Sequence, residues 1–133
     1  MAELKVLTKI ALLAYGIVCL LFGFMYVLFS ETLIASMAPA GWEINVFHPK
    51  ALGAFLIVIG FFDILMIINK RWEWENIKVA YMALFAFIIP MIIAQILVLV
   101  LLPLTPAFVN EMAFEIPLES ALLILGIIAY LKQ

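Results

Sequence analysis

The chain has 133 residues, 69% of them hydrophobic and only 12% charged, far from the roughly half-apolar, quarter-charged composition of soluble domains. A globule of this length needs more polar residues than that to cover its surface, so its solvent is lipid. Seven Lys and Arg against nine Asp and Glu leave no basic surface for nucleic acid, the lone Cys19 rules out disulfide frameworks and cysteine zinc sites, and the lone His48 rules out bis-histidine haem and ferritin-type di-iron sites.

Four spans of about 20 residues would use roughly 80 positions and leave short connections. The first is expected over about 8–29, after Lys5 and Lys9. It exceeds a signal-peptide core, and Pro39 directly follows the small residues where cleavage would fall, so it reads as a retained helix. A second span, about 50–69, is introduced by His48-Pro49 and stopped by Asn69-Lys70-Arg71; Pro49 suits a first helical turn, where its missing N–H would be unpaired anyway. The third, about 77–102, is interrupted by Pro90 and ends at Pro103, which permits a tilted or kinked helix.

The last apolar run, Leu118 to Leu131, has 14 residues, too few to cross about 30 Å of hydrocarbon at 1.5 Å per residue. Thr105-Pro106 reads as an N-cap followed by proline at the first helical position, which extends the fourth span to about 106–131. Pro117 would bend that helix by freeing the carbonyl of Ala113; the alternative is a short interfacial helix before the span. The expected fold is a single all-α domain, residues 1–133, built as a bundle of four transmembrane helices.

Sidedness follows from the cations: Lys5, Lys9, Lys70, Arg71, Lys78 and Lys132 fall on one side and Lys50 alone on the other. Both termini and the second connection are therefore expected in the cytoplasm, with the protein in the cell membrane. Trp72, Trp74 and Tyr130 mark that boundary and Trp42 the opposite one. The outer connections carry Glu31, Glu43, Glu111 and Glu115, an acidic face.

Helices 1 and 2 share a pattern, Gly16 to Gly23-Phe24 and Gly53 to Gly60-Phe61, each glycine pair separated by six apolar residues. Seven residues is two turns, so each pair lies on one face and lets a neighbouring backbone approach. A packing seam explains this; so would a pocket for a flat lipid or quinone. With these glycines and its longer first outer loop, the chain resembles the DoxX-like group of small four-helix membrane proteins across helices 1 and 2. The resemblance implies a membrane subunit of a quinone-linked oxidation system, and no functional residue carries over with it.

Asp63 is the one carboxylate well inside an apolar span, and such a group is a functional candidate by default. It stands about 10 Å from Lys70 at helical rise, level with Tyr15, its expected partner; snorkelling toward Lys70 and Arg71 is the structural alternative. Its functional part would be a proton site or a contact to a cationic ligand. Glu111, Glu115 and Glu119 recur every four residues and so align along one helix. Either Glu111 and Glu115 face water while Glu119 pairs with Lys50 or Gln95, or the row lines a carboxylate cavity, or it holds a divalent cation with help from His48. Pro90 frees the carbonyl of Ala86, and with Gln95 could form a polar notch facing helix 4.

No nucleophile, base and orienting group assemble at recognisable spacing, so no catalytic residue and no metal ligand is assigned. The scarcity of polar groups points to an accessory or structural subunit of a larger membrane complex, beside other subunits or copies of itself. The alternative is an oligomeric binder or transporter of a lipid or small molecule, using Asp63, Glu119, Tyr15, Glu115, Glu111 and Gln95.

Overall fold

The computed structural model describes residues 3–38, 45–69, 72–102 and 104–133. Pro39, Trp42, Glu43, Lys70, Arg71 and Pro103, to which the sequence assigned boundary or charge roles, lie outside the described residues. The chain forms α1 (Val6–Met37), α2 (Phe47–Ile68), α3 (Trp74–Ala86), α4 (Ile88–Leu101) and α5 (Pro106–Lys132). Taken together, α3 and α4 make one span, so that four helical stretches are long and apolar enough to cross a membrane. The all-α four-helix architecture is thus the observed one.

Helix α1 runs 32 residues, about 48 Å at helical rise, longer than the hydrocarbon slab. It passes beyond Phe29, where hydropathy falls, because Ser30 and Glu31 end an apolar run without breaking a backbone. The chain offers no glycine or proline after Gly23 until Pro39, and the Ala38 amide still donates to Ile34 O at 2.8 Å. In the third span the helix is interrupted at Phe87, between α3 and α4. The cause lies three residues on: Pro90 has no N–H for Ala86 O, and its ring crowds that carbonyl.

The fourth stretch settles as one helix rather than two. Thr105 caps it, Oγ1 accepting from the Phe108 amide at 3.3 Å, Pro106 occupies the first turn, and Pro117 sits inside a continuous α5.

Helices α1 and α2 pack antiparallel through the repeated glycines, Gly16 against Gly60 and Gly23 against Gly53. A Cβ on Gly53 would stand 2.7 Å from Gly23 O, and one on Gly60 would stand 2.7 Å from Gly16 O. No side chain fits there, so the seam is set by backbone contact. A fifth glycine, Gly126 on α5, performs the same service for an aromatic ring: a Cβ there would fall 2.1 Å from Phe85 Cδ1. Tyr81 Oη donates to Gly126 O at 3.0 Å across the same contact.

The tightly packed half of the bundle lies toward the chain ends. Gln133 Oε1 accepts from the Lys5 amide at 2.8 Å and from Thr8 Oγ1 at 2.7 Å, while Gln133 Nε2 donates to Glu3 O at 2.9 Å. From there an aromatic column runs inward, with centroid separations of 5.4 Å for Tyr130–Trp74, 5.4 Å for Trp74–Tyr81, 4.6 Å for Tyr81–Phe85 and 5.1 Å for Phe85–Tyr15. Leu12, Met66 and Ile88 fill the space around it. Tyr15 ends the column, and the other half of the bundle is hollow.

Candidate functional site: a carboxylate-lined cavity

A cavity of about 550 Å³ opens beyond Tyr15 between α1, α2, α4 and α5. Its α1 wall is Tyr15, Val18, Cys19, Phe22 and Tyr26, one face of the helix; α2 supplies His48, Leu52 and Leu56. Ile88, Met91, Ala94, Gln95 and Val98 come from the third span, and Phe108, Glu111, Met112, Glu115, Leu118, Glu119 and Leu122 from α5. Most of this surface is hydrocarbon, with a few polar groups among it, the pattern of a small-molecule site of ordinary size.

The three glutamates do share a line, and all three face the cavity. Gln95 Nε2 donates both hydrogens to them, to Glu115 Oε2 at 3.1 Å and Glu119 Oε1 at 3.0 Å. Tyr26 Oη stands 3.4 Å from Glu115 Oε1 and donates to it. Glu115 is therefore not a water-facing residue: it is only 5% exposed, because the continuity of α5 through Pro117 turns it inward with Glu119. Lys50 is not the partner of Glu119 either. It pairs at 3.5 Å with Glu31, which the extra length of α1 brings within reach.

Several polar atoms on this wall are buried without a hydrogen-bond partner among the described residues: Glu111 Oε2, Glu119 Oε2, Gln95 Oε1 and, at the floor, Tyr15 Oη. The ion pairs among the described residues, Lys50–Glu31 and Lys78–Glu75, leave the three cavity glutamates without a cation. Among the same residues no three His, Cys, Asp or Glu side chains stand close enough to hold a metal ion. His48 reaches the cavity rim but remains exposed.

Asp63 lies beneath the floor and does not line the cavity. It is wholly buried against α1, where the absent side chain of Gly16 makes room for it: a Cβ on Gly16 would stand 3.1 Å from Asp63 Cβ. The expected hydrogen bond to Tyr15 is not made, since both Asp63 oxygens and the Tyr15 hydroxyl are without partners. Tyr15 instead packs its ring against Phe85, tilted at 35°, and lines the cavity.

Tyr26 was not anticipated from the sequence. Its signal was there, because Tyr15, Cys19, Phe22 and Tyr26 follow at intervals of four, three and four residues, a single helical face carrying two hydroxyls. Gly126 gave no such signal, since its partner Phe85 belongs to another helix. Comparison with protein-family models, characterised proteins and solved structures found no match for this chain.

Proposed function

We propose that this small integral membrane protein binds a lipid-sized molecule in the cavity between α1, α2, α4 and α5. The observation that carries the proposal is the convergence of Gln95, Glu115 and Glu119 in a mostly apolar cavity of about 550 Å³, where polar groups are costly and mark functional candidates. The distribution of cations supports a reading with the chain ends and the α2–α3 connection in the cytoplasm and the cavity in the outer half of the bilayer. Asp63, below the floor, serves as a proton site beside it.

The test is occupancy. Purified full-length protein in mild detergent should carry a non-covalently bound small molecule by native mass spectrometry, and Ala94→Trp, which fills the α4 wall, should lose it while eluting as a folded species. Wild-type protein with nothing bound, and with no affinity for any amphiphile supplied, would end the proposal.

A second function is favoured by the third span, whose Val79, Met82, Ile89, Ile93, Leu97 and Val100 are all exposed. Such a face suits an accessory subunit docked on a larger membrane complex, quinone-linked as in the DoxX-like group. Copurification of a larger enzyme from native membranes, together with retention of a quinone, is the outcome that separates this from a free-standing binder.

A further inference from the structure

Resting on the cavity-binding function above, we propose that the ligand is an apolar chain ending in an N–H-bearing cation, a primary ammonium or guanidinium, seated with that end against Glu111, Glu115 and Glu119. The inference comes from counting donors and acceptors. An ionised carboxylate offers two oxygens and no hydrogen, whereas a protonated one carries a single O–H, and an amide offers two hydrogens and one oxygen. Gln95 spends both its hydrogens on Glu115 and Glu119, and Tyr26 gives its one to Glu115. With the carboxyls ionised, Gln95 and Tyr26 have then spent their hydrogens, while Glu111 Oε2, Glu119 Oε2 and Gln95 Oε1 lack partners among the described residues.

Tyr15 supplies an independent indication: it is 4% exposed, it lines the cavity, and its hydroxyl has no hydrogen-bond partner among the described residues. An occupant that completes the set with the row ionised brings several hydrogens and a positive charge. A bare divalent ion does not fit the cavity, which is far larger than one ion and whose remaining walls, Leu33, Leu52, Leu56, Val98 and Phe108, are hydrocarbon. A quaternary ammonium brings charge without hydrogens, and an alcohol brings a hydrogen without charge. The primary ammonium brings three hydrogens and a charge on a chain the walls can cover.

Octylamine, octyltrimethylammonium and 1-octanol should be titrated against the full chain in lipid nanodiscs, with binding to empty nanodiscs subtracted. Octylamine is expected to bind at least about tenfold tighter than either of the others, the ratio corresponding to one charge-assisted hydrogen bond. Glu119→Gln should abolish that preference, reducing octylamine binding to no more than that of octanol measured on the same variant. Equal binding of the three probes, a preference for the quaternary compound, or displacement of octylamine by Mn²⁺ or Zn²⁺ would overturn the ligand class and leave the cavity-binding function standing. Failure of all three to bind, with Ala94→Trp also unchanged in its bound lipid, would overturn both. Nanodiscs made with and without phosphatidylethanolamine separate the two sources of the amine: competition by that lipid identifies a membrane headgroup, its absence a free amine, and the class stands in either case.

Discussion

Gln95 is the residue on which the polar wall depends. Its amide is shared by two carboxyls that have no other nitrogen donor among the described residues, so Gln95→Leu removes two hydrogen bonds and leaves acceptors buried. A loss of about 2 kcal/mol is expected, measured as a lowered Tm in detergent, whereas Gln95→Glu should be more harmful because it adds a fourth carboxyl to the row. Asp63 calls for a different measurement. Asp63→Asn keeps the volume that Gly16 accommodates and should leave the fold intact, while altering the pH dependence of octylamine binding through the adjacent floor. Identical pH profiles in the two proteins would assign Asp63 a packing part alone.

At the scale of elements, the glycine seam and the Pro90 break do opposite things. Gly53→Ala or Gly60→Ala puts a methyl 2.7 Å from a carbonyl oxygen of the facing helix. Backbone cannot rotate away as a side chain can, so α1 and α2 must separate, at a cost of about 1–3 kcal/mol; a thermal melt of either variant reads it. Pro90→Ala restores the amide that Ala86 lacks and should stabilise the third span while redirecting α4. Since α4 carries Gln95, the expected result is weaker probe binding with a raised Tm. These elements also show what a sequence exposes. The glycine register, the Thr105 cap and the proline break are local, written in residues one to four apart or in an equal spacing on two helices, and they could be read directly. Whether Glu115 met water or the cavity, and whether Glu119 met Lys50 or Gln95, depended on how far α1 extends past Ser30 and how α5 rotates through Pro117. Both are decided by contacts between helices, which is why the cavity stood only as one of three alternatives.

For the whole molecule, the two halves of the bundle are packed differently: an aromatic column from Tyr130 to Tyr15 fills one and the cavity occupies the other. If the ends are cytoplasmic, a membrane-impermeant maleimide should label Lys132→Cys only in inverted vesicles and Ser36→Cys only in right-side-out ones; Cys19 is buried and adds little background. The clasp at the chain ends bears on the order of assembly. Gln133 meets Lys5 across 128 positions of sequence, whereas the α1–α2 glycine seam joins segments that leave the ribosome one after the other. The hairpin of α1 and α2 can therefore form while α5 is still being made, and of the five helices the one bearing the three glutamates is set in place last. Until Gln133 ties the ends together, the future cavity is an open groove facing lipid, and a hydrophobic guest could be enclosed as the protein is built as well as admitted afterwards.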